Sequence, residues 1–389
     1  MVLNNVTLWG TDGPVNIHIS GSRIVKVATE AIPAKKGRLQ LNFDNTLAFP
    51  ALINSHDHLD FNLFPQLGDK TYNNYTEWGK TIHEQYQDEI AQVLKVPLAF
   101  REQWGIYKNL LCGVTTVVNH GKRLKTTNPL IHVHEAYQCL HSVSFEKHWK
   151  LKLNNPFKTK FPVVIHAGEG VDSSSRNEID QLIRWNLLRK KLIGVHAIAM
   201  SRTQAEKFEA VVWCPASNIF MFNKTAPVKK LKKHTTILFG TDSTLTAGWN
   251  IWEHIRAARK TGEFTDTELF NALTVNAAAV WKIKTAKFDP GKKADIVLSR
   301  IKNGNDAFFS TRPEDILLVI HNGEILLFDA ELHTQLAETD LSGYSKIYIN
   351  NACKYVQGDL PGLIENIRAY YPAAVFPVTA NVYAPQQLS

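Results

Sequence analysis

Cysteine is scarce: the 389-residue chain holds four, Cys112, Cys139, Cys214 and Cys353, and no two of them form a CxxC pair. That spacing excludes a disulfide-stapled scaffold and a cysteine zinc knuckle, and it leaves reduced, structural thiols as the expectation. No apolar run reaches the roughly 18 residues that a membrane span requires, and the first ten residues lack the basic-then-apolar order of a secretory leader. The expectation is therefore a cytoplasmic protein with no membrane contact. Two zinc signatures are missing as well. There is no P-C-x-x-C, and neither His83-Glu84 nor His134-Glu135 is followed by the second histidine of an HExxH motif. The charge balance is basic, 44 Lys and Arg against 36 Asp and Glu, for a net +8. Its densest cluster, Lys229, Lys230, Lys232 and Lys233, reads as a solvated exterior segment, and without a recognition module it gives no reason to expect nucleic-acid binding.

What the chain does have is 44% hydrophobic and 21% charged residues, the balance of a soluble globular protein. Its most informative stretch is Leu47 to Phe61, where an apolar run closes on Asn54-Ser55-His56-Asp57-His58. Side chains two apart on a strand point the same way, so His56 and His58 are placed to grip one metal ion. Other candidate ligands follow the same design, each at the end of its own apolar run. Phe161 to Ile165 leads into His166-Ala-Gly-Glu169, Leu192 to Val195 into His196, and Thr235 to Phe239 into Gly240-Thr-Asp242. Such strands alternating with helical segments predict an α/β fold, a (β/α)8 TIM-like barrel whose chemistry gathers where the strands end. His56, His58, His166, His196 and Asp242 would then meet on one rim.

Both chain ends read differently, as short strands broken by turns such as Thr11-Asp-Gly-Pro and Asn322-Gly323. The expected organisation is a composite β-sandwich from residues 1–48 plus 286–350, a barrel at 49–285 that carries the candidate metal ligands, and a C-terminal extension at 351–389. Only a short span separates the first strand from His166, and Asn154-Asn155-Pro156 signals a turn where a crossover helix belongs. Strands two to four, near 115–119, 130–133 and 140–145, are therefore expected to be irregular.

Seven ordered motifs carry a resemblance. They are Phe49-Pro50-Ala51 before His56-Asp57-His58, Cys112 to Val118, His166-Ala167-Gly168-Glu169, Cys214-Pro215-Ala216-Ser217-Asn218, Gly240-Thr241-Asp242-Ser243, Ala272 to Ala278, and Gly291 to Val297. In this order the chain resembles the amidohydrolase superfamily, and within it the metal-dependent aminohydrolase branch of cytosine and guanine deaminases and chlorotriazine hydrolases. The resemblance implies one divalent metal ion, zinc or iron, held by His56, His58, His166 and Asp242. It implies Glu169 as proton carrier, Asp242 as a partner in the first proton transfer, and His196 as hydrogen-bond donor to the attacking oxygen. The substrate implied is a small nitrogen heterocycle that loses an amino group or a comparable leaving group. Candidate substrate contacts are His120, Asp60, Phe61, Asn218 and Trp249, with Phe64, Gln66 and Trp78 as further pocket residues. A homo-oligomer is consistent with the family.

Two other readings stand beside this one. In a binuclear amidohydrolase cleaving a cyclic amide or related C–N bond, Lys147 near strand four would bridge a second ion with His196. In a reading of another class, the barrel is a noncatalytic scaffold, against which the intact ligand set argues.

Overall fold

The computed structural model of the chain describes residues 1–302 and 304–381. The chain divides into two compact units, one made of Met1–Leu52, Ile106–Thr115 and the segment from Lys284 onward, the other of Ile53–Gly105 and Thr116–Ile283.

In the first unit, strands from both chain ends share one ten-stranded sheet. Its centre is the antiparallel pairing of Thr46–Pro50 with Ile296–Arg300, in which Pro50 faces Ile296 and Thr46 faces Arg300. Outward from there run Ile316–His321, Glu324–Asp329, Ala352–Gln357 and Tyr344–Ile349 on one side, and Val2–Leu8, Pro14–Ser20 and Arg23–Ala28 on the other. Alternation supplies the core: Ile17, Ile19 and Ile24 are buried with Leu3, Leu41, Ile296, Leu318 and Phe328. The Asn322-Gly323 turn has φ of 51° and 81°, the double left-handed geometry that a tight hairpin needs. Residues 351–381 depart from the expected separate extension. Ala352–Gln357 is a full member of the sheet, and Leu360–Tyr370 is a helix capped by Asp359. Residues 382–389 of that segment lie outside the described residues.

The second unit holds, wholly or over most of their length, eight strands in barrel-like order: β1 (Leu52–Asp57), β2 (Val114–Asn119), β3 (His132–His134), β4 (Gln138–Ser142), β5 (Val163–Ala167), β6 (Leu192–His196), β7 (Ala210–Trp213) and β8 (Thr236–Phe239). Strands β4 to β8 form one parallel sheet and β1 to β3 another. An isolated parallel bridge between Asp57 and Asp242 brings β1 beside the end of β8. The irregularity expected near strands two to four lies at the step from β3 to β4, which fall in separate sheets.

Ahead of β2 stand two helices, α2 (Gln87–Leu94) and α3 (Leu98–Leu111), separated at Pro97, which cannot continue the first. Ahead of them stands α1 (Tyr75–Gln85), with Asn74 accepting from the Glu77 amide as its cap. Between β4 and β5 there is room only for α4 (Trp149–Leu153) and one turn of 3-10 helix, as the Asn-Asn-Pro signal required. After β5 comes α5 (Ser173–Trp185), capped by Asp172. Among the described residues, no helix is long and apolar enough to cross a membrane.

Candidate active site

All six residues of β1 are buried, so its polar side chains must find partners inside the protein. They divide by face. Asp57, between the two histidines, points away from them and accepts from Asn62 Nδ2 at 2.7 Å and Asn54 Nδ2 at 3.1 Å. His56 and His58 turn to the opposite side, with ring centroids 4.9 Å apart and nearly perpendicular. The carboxylate of Asp57 is thus occupied in holding the strand end, and the two imidazoles stay available.

Four donor atoms from three strand ends and one following turn converge on that side. His56 Nε2 lies 3.2 Å from His166 Nε2 and 3.6 Å from Asp242 Oδ1, and His58 Nε2 lies 3.5 Å from the same oxygen. Two ligands each ~2.0–2.1 Å from a tetrahedral zinc-sized ion stand about 3.4 Å apart, so these separations fit a common cation between the donors. Cation-sized clusters extend further around the same point: His56, His120 and His166; His56, His196 and Asp242; and His166, Glu169 and His196 each bring ligand atoms within 4.8 Å of one another. His56 Nδ1, both nitrogens of His120, and His196 Nε2 are buried without a hydrogen-bond partner. Orphaned buried nitrogens in such number are rare where nothing else is to be bound.

The backbone is shaped to allow this meeting. His196, Ala197 and Asp242 have φ of 71°, 54° and 62°, a left-handed region costly for residues with a Cβ. Strain of this kind at strand ends is characteristic of functional positions. Gly240 answers to a different demand, since a Cβ there would lie 2.8 Å from that of His56. Only glycine lets the β8 end approach β1 closely enough for Asp242 to reach the histidines.

Electrostatics sort the residues by charge. Burial pulls His56 down to about 4, and burial with the neighbouring imidazoles takes His120 and His166 well below the usual histidine range. Neutral rings are the form that binds metals. Burial would raise the Asp242 carboxyl, yet the imidazoles of His56, His196 and His58 hold it well below the usual carboxylate range. Ser217 Oγ and Thr246 Oγ1 both donate to its Oδ2, at 2.7 and 2.8 Å, leaving Oδ1 toward the histidines. Glu169 moves the opposite way: burial first, then the charges of Asp242 and Glu178, raise it well above the usual carboxylate range. Its two oxygens lie 3.6 Å from His166 Nδ1 and 3.5 Å from His196 Nε2. The two carboxyls are therefore pushed in opposite directions, Asp242 toward the ionised form and Glu169 toward the acid form, the division that proton transfer uses.

His196 departs from the expected role. Its Nδ1 lies 2.8 Å from Asn218 Oδ1, while Asn218 Nδ2 reaches back to the His196 carbonyl at 3.5 Å. With the amide so oriented, Nδ1 carries the proton of the neutral ring, and Nε2 presents a lone pair rather than an N–H to Glu169. Burial keeps this ring neutral.

The substrate candidates separate. Phe61 lines the cavity above the cluster, as do Phe64 and Trp78. Asn218 is fully buried behind His196, and His120, 1% exposed, is stacked on His166 at 4.6 Å, so neither faces the cavity. Asp60 turns its carbonyl to Arg101, and it, Gln66 and Trp249 stand outside the lining. Lys147, the bridge of the binuclear reading, is exposed beyond the end of β4, where His141 faces the cavity instead. Ser217, Thr246 and the cavity-lining His141 are not among the residues singled out from the sequence, although Ser217 sits in the Cys-Pro-Ala-Ser-Asn motif.

Residues 157–326 match the amidohydrolase family. A 5-methylthioadenosine/S-adenosylhomocysteine deaminase from Caldicellulosiruptor saccharolyticus is 26% identical over 382 residues, a match spanning 80% of this chain and 87% of the relative. Among solved structures, zinc-bound atrazine chlorohydrolase from Arthrobacter aurescens superimposes with a TM-score of 0.68 at 17% identity, covering 95% of this chain and all of the other. A zinc-bound adenosine deaminase from Xanthomonas campestris gives 0.68 at 14% identity, over 95% and 97% of the two chains. Strand order and site position agree with the family match: the chain carries an amidohydrolase-family domain over residues 157–326.

Proposed function

We propose that the protein is a mononuclear metal-dependent hydrolase that removes an amino group, or a comparable leaving group, from an electrophilic carbon of a nitrogen heterocycle. One observation carries this reading: His56 Nε2 lies 3.2 Å from His166 Nε2 and 3.6 Å from Asp242 Oδ1, and His58 Nε2 lies 3.5 Å from that same oxygen, separations that two ligands of one divalent ion would have. The deaminase relatives support the leaving group, and the Glu169 position three residues beyond His166 supports it independently.

These four residues would hold the ion, zinc or iron, which would supply Lewis acidity and lower the pKa of a water toward neutrality. The protein's own groups do the rest. Asp242 would accept a proton from the attacking water, its carboxylate held in place by Ser217 and Thr246 through Oδ2. Glu169, whose carboxyl burial raises well above the usual carboxylate range, would donate to a ring nitrogen of the heterocycle, regain a proton from the attacking oxygen and pass it to the departing amine. His196 Nε2 accepts from Glu169 or from water, and Asn218 fixes its ring. Phe61, Phe64 and Trp78 wall the cavity from which the substrate would approach.

Exposure of Lys147 speaks for one ion rather than two. The decisive experiment measures ammonia release from aminated purines, pyrimidines, triazines and pterins together with metal content of the same sample. Release with one divalent ion per chain supports the reading; an inert protein that binds no divalent ion overturns it.

A further inference from the structure

The cavity over the cluster has a volume of about 610 Å³, within the range of about 300–1,000 Å³ typical of sites that enclose drug-sized ligands. Its floor is polar, with His58, His141, His166, Glu169 and Asp242, but its outer wall is not. Trp78 and Ile82 come from α1, Ile90 and Leu94 from α2, and Phe145 from the loop after β4.

The polar atoms in this wall are already engaged within the protein. Trp78 Nε1 donates to the Leu67 carbonyl at 2.7 Å, the Tyr75 hydroxyl to Glu178 at 2.9 Å, and His83 Nδ1 lies 2.7 Å from the Gly79 carbonyl. No arginine lines the cavity among the described residues, and its one lysine, Lys80, points to Glu84 at 3.8 Å on the exposed helix face. A carboxylate entering this region would lose its water and find no buried cation in exchange. Conversely, Leu94 and Phe145 remain 52% and 50% exposed, apolar surface that a ligand substituent would cover.

Resting on the heterocycle reading above, we infer that this wall is a subsite for a neutral apolar substituent, alkyl, alkylthio or aryl, carried by the heterocycle, and that it excludes substituents ending in a carboxylate or a zwitterion. The catalytic floor holds the ring. The wall formed by α1, α2 and Phe145 selects the tail.

The test uses full-length zinc-loaded protein and aminopurine, aminopyrimidine and aminotriazine series in three forms: unsubstituted, propyl and carboxypropyl. Ammonia release gives kcat/KM, and calorimetry on the Glu169→Gln protein gives affinity without turnover. At about fourfold per buried methylene, the propyl form is expected to exceed both others by at least tenfold in affinity, and in kcat/KM wherever turnover occurs. Ile90→Lys, on the exposed helix α2, should shrink the propyl-to-carboxypropyl ratio to below threefold while the unsubstituted ring binds as before. Carboxypropyl forms equal to propyl forms, propyl forms no better than the bare ring, or no binding in any series would each overturn the inference. Tighter propyl binding with no ammonia released from any series would leave the subsite standing and remove the deamination reading instead.

Discussion

His196 Nδ1 and Asn218 Oδ1 lie 2.8 Å apart in the fully buried interior, and this one contact decides which nitrogen of His196 faces the reacting centre. Replacing Asn218 with leucine removes the acceptor and frees the ring to rotate or change tautomer. Partners of this kind contribute about 10- to 100-fold to activity. Asn218→Leu is expected to lower kcat by that amount with metal content unchanged, and Asn218→Asp, which keeps the acceptor, to recover part of it and shift the pH profile. Equal activity in Asn218→Leu would remove the positioning role.

Glu169→Gln keeps size and hydrogen bonding but cannot transfer a proton. Turnover is expected to fall by about 100-fold or more, with one divalent ion still bound on elemental analysis. Because burial already favours the acid form of Glu169, folding should not suffer. Its folded pKa lies above the ordinary carboxylate value, so stability is lost as pH rises from that ordinary value toward the elevated one, and at alkaline pH the metal-free glutamine variant should melt no lower than the parent.

His56→Ala and His166→Ala each remove one of the donors that meet at 3.2 Å, and both are expected to lose the ion on dialysis. Lys147→Ala, altering an exposed side chain, should retain it along with full activity. Loss of activity on changing Lys147 would restore the two-ion reading.

Gly240→Ala tests close approach instead of chemistry. A methyl group 2.8 Å from the His56 Cβ must push β8 from β1, and overpacking of this kind costs about 1–3 kcal/mol. Thermal denaturation should register that loss, and metal affinity should fall with it, since Asp242 follows two residues later.

Buried histidines set the acid limit of the fold. His134, in β3 beside Trp281, is lowered to about 4 by burial and then by His132. Its folded pKa lies below the ordinary value near 6.5, so the unfolded chain binds more protons between these limits. The stability it contributes is present above pH 6.5 and is lost as pH falls toward 4, at up to about 1.4 kcal/mol per pH unit. Melting temperatures of the metal-free protein should decline over that interval, and His134→Gln should flatten the decline. An unchanged slope would contradict the buried, neutral ring.

The strand-end candidates were readable because each ended an apolar run and small or polar residues followed: His56, His166, His196 and Asp242 all sit where such runs stop. Glu169 was readable only through its resemblance to a motif. Ser217 was not, because its role depends on a 2.7 Å hydrogen bond across 25 residues that no local pattern encodes. Asn218 was placed in the right loop but given to the substrate, since an asparagine's partner depends on the tertiary neighbour it meets. Strand β4 was read too late in the chain, and with it Lys147 gained a place that belongs to His141. Leu140 to Phe145 looked continuous, yet Ser142 ends the strand, and Ser144 turns away to bond Glu178. Residues 352–357 escaped as a strand because Ala-Cys-Lys-Tyr-Val-Gln alternates only weakly and buries Lys354, whose ammonium is paired with Asp329 at 2.7 Å.

The register that joins Thr46–Pro50 to Ile296–Arg300 has a bearing on biosynthesis. A ribosome delivers the amino-terminal strands long before their central partner exists, so Thr46–Pro50 emerges with one side of its backbone unmatched and open to any other extended peptide. Truncated products ending before residue 296 are therefore the forms expected to aggregate, and full-length expression tags belong at the carboxyl end, where they select for chains that have closed the sheet.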